Sequence, residues 1–154
     1  MAEEPSQYGV GVVGCYLFFD AGGGGTFGWQ SGMRISSLRV VNVSVAPIVR
    51  GWELTFADIG PWPLCGHVQF FSDFANTDLR GYEARLMFDP MGANPAVVVV
   101  YVVELVTDDG GVTTFEPVDP ADIVAAHPDR AWLIQLQATQ TGTSSGFAPP
   151  PPPP

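Results

Sequence analysis

The chain predicts an all-β fold, a single antiparallel β-sandwich or barrel of about seven to eight strands carrying one short helix. Three observations lead there. Apolar and polar residues alternate at period two in several places, no segment keeps a helical 3.6-residue period for three turns, and Gly, Pro and Asp clusters separate the apolar runs.

Taken in order, residues 12–19, 34–45 and 66–71 alternate irregularly but are rich in the β-branched and aromatic side chains that suit a pleated surface. The clearest strand is 48–57. There Ile48, Trp52, Leu54 and Phe56 share one face with Arg50, and Val49, Gly51, Glu53, Thr55 and Ala57 share the other. Tyr82, Ala84, Leu86 and Phe88 repeat the pattern against Glu83 and Arg85, as do Trp132, Ile134 and Leu136 against Gln135 and Gln137. Each set reads as a strand with one buried face. Residues 96–106, with four consecutive valines before Tyr101, Val102 and Val103, lack alternation and predict burial on both faces. As an exposed edge such a run would invite pairing with other chains. Asp108-Asp109-Gly110-Gly111 then supplies residues that tolerate positive φ, and the β-prone stretch 112–115, with Thr113 and Thr114, completes a hairpin.

The helix lies after this hairpin. Asp119 can cap free backbone amides, Pro120 suits the first helical position, Asp122 favours the positive N-terminal end, and His127-Pro128 closes the segment. The remaining punctuation, 22–25, 60–63 and 89–95, reads as loops. Short strands spaced by turns in this way fit a jelly-roll or C2-like sandwich. The domain reading is an N-terminal extension over 1–7, the sandwich over 8–138, and an extended tail over 139–154. That tail passes through small polar residues to Phe147, Ala148 and then Pro149, Pro150, Pro151, Pro152, Pro153 and Pro154. Proline fixes φ and lacks an amide donor, so this end favours a polyproline II rod rising about 3.1 Å per residue. Fully extended, the tail spans roughly 50 Å, enough to touch a neighbouring molecule.

With 154 residues the chain has room for one domain, and 46% hydrophobic against 14% charged residues gives enough apolar surface to fold. It contains six arginines, no lysine and sixteen acids, a net charge of −10. That balance repels phosphate backbones and anionic lipids, so neither nucleic acid nor a membrane is an expected partner. The acidic start, Met1-Ala2-Glu3-Glu4-Pro5, does not resemble an export signal, and the longest apolar run, 96–103, is far shorter than the roughly 20 residues of a spanning helix. Cys15 and Cys65 fall in apolar strand-like segments, which predicts buried free thiols while leaving a disulfide open. Asn42-Val43-Ser44 matches a glycosylation sequon only formally.

Little in the sequence is equipped for catalysis. Gly23-Gly24-Gly25-Thr26-Phe27-Gly28 satisfies G-x-G-x-x-G, but a strand pattern rather than a helix follows, so it reads as a surface loop. Without lysine there is no phosphate-clamping ammonium and no Schiff-base chemistry. Cys65 and His67 fall on the same side of a strand, yet two ligands do not make a metal site, and His127 reads as a turn residue. Asp73 and Asp78, Asp108 and Asp109, and Asp119 and Asp122 cluster in loops, where they serve as turn formers or, alternatively, as calcium ligands. No catalytic residue, cofactor site or metal site is assigned. Trp52 and Trp132 fall on buried faces, whereas Trp29 and Trp62 fall in Gly/Pro-rich loops where they could anchor a partner or stack on a sugar.

Trp62-Pro63, then Asp73, then Arg80-Gly81-Tyr82 and a further strand resembles the middle portion of B9-type C2 domains of ciliary transition-zone proteins, over about 27 residues. The resemblance implies a C2-like scaffold domain and carries over no functional residue. Weighed together, the sequence predicts a non-enzymatic assembly protein that contacts other protein subunits, copies of itself among the candidates, in a larger complex of which a virion or other multi-chain shell is an example. Its expected contact residues are Trp29, Trp62, Phe147 and the six terminal prolines. The alternatives are a carbohydrate- or calcium-binding module and the C2-like scaffold.

Overall fold

The computed structural model describes residues 10–20, 26–30, 35–56, 64–72, 79–88 and 97–141. They form an all-β sandwich of nine strands and one helix: β1 Val10–Asp20, β2 Thr26–Gln30, β3 Ile35–Val45, β4 Ile48–Phe56, β5 Leu64–Ser72, β6 Tyr82–Phe88, β7 Val97–Thr107, β8 Thr113–Val118, α1 Pro120–Ala126 and β9 Trp132–Thr141. The first sheet has the order β2-β1-β9-β5; the second has β3-β4-β7-β6, with β8 also paired to β7. All described pairings are antiparallel, and none joins one sheet to the other, so the architecture is a sandwich and not a closed barrel.

Alternation places the core. Leu17, Trp52, Leu54, Val98, Val100, Val102, Ile134 and Leu136 are almost wholly buried between the sheets. Aromatic rings run through this interior in one chain: Phe19 to Phe27 at 5.1 Å, Phe27 to Trp52 at 4.9 Å, Trp52 to Trp132 at 6.5 Å and Trp132 to Phe70 at 5.3 Å. It continues from Phe70 to Tyr82 at 6.0 Å and on to His127 at 5.9 Å. Because consecutive rings come from both sheets, this chain fastens the layers together, mostly in edge-to-face contacts that add to simple area burial. The indole Nε1 of Trp52 is buried without a hydrogen-bond partner, a cost the ring packing must offset.

The hairpin between β7 and β8 forms as its sequence predicts. Thr107 faces Thr113, Asp108 Oδ1 accepts from the amides of Gly110 and Val112, and Gly111 takes φ +77°, a left-handed conformation that favours glycine. The α1 cap also forms as expected: Asp119 accepts from the Ala121 amide, Pro120 opens the helix and His127 caps its end.

Several expectations are corrected. Thr26–Gln30 is a strand where a loop was expected, so Trp29 sits in β2 facing Leu17. Its amides pair with β1, which also removes any phosphate-cradling role from Gly28. Ile48 is 62% exposed while Val49 is buried, because Ile48 closes the β3–β4 turn beyond the edge of the core. The valine run does not bury both faces equally: Val98, Val100 and Val102 point inward, while Val97, Val99 and Tyr101 remain half-buried. β9 continues to Thr141, past the boundary expected after residue 138, because its last residues still pair with β1 and β5.

Candidate interaction face

The outward side chains of the first sheet follow from its register. Tyr16 lies beside Gln135, and Gln135 beside Gln69, which makes one row across β1, β9 and β5. Leu133 lies beside Phe71, and extending the β1–β9 register one step past Leu17 and Ile134 brings Phe18 to its other side. His67 and Gln137 form the next row beyond Tyr16. These rows contain no carboxylate and no arginine; Asp20, at the end of β1, is the first carboxylate reached along that strand.

The row Phe18, Leu133 and Phe71 is apolar across three strands. Its members are 37%, 37% and 39% exposed, and Tyr16 beside it is 40% exposed. A single exposed apolar residue is ordinary; a continuous row on one sheet face is a candidate contact surface. A Cβ on Gly28 would sit 2.4 Å from the Phe18 ring, which lies over that glycine toward β2, the edge strand beside β1.

A second feature joins the second sheet to the helix. The edge of β7 opposite β6 is shared, with β4 pairing to Val97 through Val100 and β8 pairing to Val102 through Thr107. Asp119 sits where these strands diverge. Its carboxylate accepts from the Arg50 amide at 3.0 Å, from Arg50 Nε and Nη2 at 2.8 Å each, and from the Ala121 amide at 2.9 Å. Burial alone would raise the Asp119 pKa, but the hydrogen bonds from the Arg50 side chain and the two amides outweigh it and hold the group below the usual aspartate value. The same hydrogen bond, ahead of the charge attraction, raises the Arg50 pKa. This arrangement satisfies every partner and leaves no free lone pair aimed at a ligand, so it is a structural clip.

The other sequence candidates disperse. Cys15 is a free thiol in the core, pushed up to about 12 by burial, while His67 is exposed on the opposite face of the same sheet. The side chain of Cys65 lies outside the described ones. Native protein should leave Cys15 unmodified by a thiol reagent at neutral pH, and denaturant should release it. Tyr82 is raised by burial first and by Glu104 second, and its hydroxyl approaches His127 Nε2 at 3.4 Å. Asp108 and Asp119 spend their oxygens on backbone amides, and no group of three metal-ligating side chains occurs among the described residues. A cavity of about 200 Å³ lies where β5 meets β6, lined by Val68, Gln69, Phe70, Tyr82, Glu83 and Ala84. That is below the usual size of a small-molecule site. Trp62, Phe147, Pro149, Pro150, Pro151, Pro152, Pro153 and Pro154, together with Asp73 and Asp78, lie outside the described residues, as does the side chain of Trp29.

Sequence reading missed the Phe18, Leu133 and Phe71 row. Each is an outward residue in a separate strand, and only the register brings them together. No protein-family model, no curated protein and no solved structure matches this chain. Among the described residues no helix is long and apolar enough to cross a membrane. The fold and face define an all-β sandwich with two adjoining outward rows of aromatic, leucine and glutamine side chains on its first sheet.

Proposed function

We propose that this protein is a non-enzymatic assembly component that works through protein–protein contact within a larger complex, of which a virion or other multi-chain shell is an example. The observation that supports this reading is the pair of outward rows on the first sheet, Phe18, Leu133 and Phe71 beside Tyr16, Gln135 and Gln69, which carry no charged side chain. Apolar area drives association without direction, and glutamines in register beside it supply directional hydrogen bonds. A chain of net charge −10 repels its own copies at long range, so contact between copies is favoured where neither surface is charged.

Sedimentation across micromolar to millimolar concentrations tests this. The mass should rise with concentration, and Leu133→Glu should suppress the rise while leaving the melting transition close to that of the parent. A mass that stays monomeric throughout would overturn self-assembly. The same aromatic and amide rows also favour a second reading, a carbohydrate-binding module, because rings stack on sugars and amides bond their hydroxyls. A thermal-shift screen with glycans separates the two, since stabilisation by one glycan class that Tyr16→Ala abolishes belongs to the second reading alone.

A further inference from the structure

Among the described residues nothing covers the Tyr16 and Leu133 rows of the first sheet, and the chain continues for thirteen residues after β9 ends at Thr141. The last six of these are prolines. A polyproline rod is uncharged, presents apolar rings, and offers backbone carbonyls as acceptors with no amide donors of its own. A surface that binds it therefore needs aromatic or apolar rails and side-chain donors, and should carry no charge to desolvate. The first sheet meets each requirement: Phe18, Leu133 and Phe71 form the rail, and the amides of Gln135 and Gln69 with the Tyr16 hydroxyl form a donor row alongside.

Dimensions agree. Six prolines at about 3.1 Å each make a rod of about 19 Å, which crosses the four strands of this sheet, about 14 Å between outer axes, with a residue to spare at the ends. We propose that residues 149–154 of a second copy lie across the Phe18, Leu133 and Phe71 row, with their carbonyls turned toward Tyr16, Gln135 and Gln69. This inference rests on the assembly reading and names its contact. A second copy is the favoured source because the molecule's own tail is too short to lay the whole rod there. Leu133 is eight residues back along β9 from Thr141, about 26 Å. The eight steps from Thr141 to Pro149 span at most about 29 Å when fully extended, and the reversal of direction that the path needs takes up more than the difference.

The test uses the full chain, a chain ending at Ala148, and two face variants, Leu133→Glu and Phe71→Glu, with melting curves confirming that each folds. The full chain should associate, and each altered chain alone should associate at least tenfold more weakly. Mixing the chain ending at Ala148 with a face variant should restore a complex, because one supplies the face and the other the rod. A synthetic peptide of residues 146–154 should bind the shortened chain and not the face variants. If the shortened chain associates as strongly as the full one, the rod is not the contact, although the assembly reading stands. If the peptide binds the shortened chain while the full chain stays monomeric, the rod occupies its own molecule and the proposal is overturned. If nothing associates and the peptide does not bind, both readings fail.

Discussion

The two outer faces of the sandwich are built from the same alternation and end in different chemistry. On the second sheet, two half-buried side chains that β7 turns outward have a charged neighbour across the ladder, Val99 beside Glu53 and Tyr101 beside Arg85, while Val97 lies beside Thr55 and Leu105 beside Phe115. These charges are themselves paired. Arg39 meets Glu53 at 2.7 Å, Arg85 meets Glu83 at 3.1 Å, and the Arg85 guanidinium lies 4.6 Å from the centre of the Phe115 ring. On the first sheet, Leu133 has Phe71 beside it, and Gln135 has Tyr16 and Gln69. Charge placed beside exposed apolar groups is a common device against unwanted sheet association. On the second sheet such charges stand beside Val99 and Tyr101, and none stands in the Tyr16 and Leu133 rows of the first, which supports reading those rows as the ones that make contacts.

The largest effect that sharpens this contrast comes from the clip at the edge of the second sheet. Asp119→Ala removes a helix cap and leaves Arg50 without its carboxylate, and with the Arg50 side chain 35% exposed the cost should be about 2–4 kcal/mol in urea unfolding. Asp119→Asn keeps the cap and should cost about half as much. Because the folded state holds the Asp119 pKa below its unfolded value, the unfolded chain binds the extra proton as pH falls between the two. The stabilisation is therefore complete above the ordinary aspartate range, near 3.9, and is lost on acidification through the lower folded value. The urea midpoint of the parent should decline over that window, and Asp119→Asn should lack this component. Association through the first sheet should survive in whichever molecules remain folded. A matching loss of association at conditions where the variant is fully folded would show that the two sides are not independent.

What could be read from sequence divides along the same line. Local chemistry was legible: Asp119-Pro120 as a helix start, Asp108 to Gly111 as a turn, and the buried faces of Trp132, Ile134 and Leu136 each depend on neighbours within a few residues. β2 was hidden because Gly28 and Thr26 dilute its pattern, and Ile48 misled because alternation reports which side a residue takes and not whether anything covers it. The Arg50–Asp119 clip spans 69 residues, and the Phe18, Leu133 and Phe71 row draws on three strands far apart in the chain. Neither leaves a periodic or compositional trace, since both arise only when the strands take their register. The candidate site was therefore mostly illegible, although the class of function drawn from low charge and an apolar composition points to the same kind of surface.

The smallest expected effect is also the most direct attempt to erase the difference between the faces. Replacing Glu83 and Arg85 together by Ala removes an exposed ion pair, at 51% and 43% side-chain exposure, and uncovers the Phe115 ring. Exposed pairs and exposed cation–π contacts are each worth at most about 1 kcal/mol, so the melting temperature should shift by only a few degrees. The larger consequence should appear in solution behaviour. Phe115, already 44% exposed, and Leu105 beside it, 45% exposed, would then form an apolar pair with no charge over it. Light scattering should then show association that persists when Leu133→Glu is added, because it proceeds through the other face. If the double replacement leaves scattering unchanged, paired charge is not what keeps the second face in water, and the absence of charge on the first loses its force as a sign of contact.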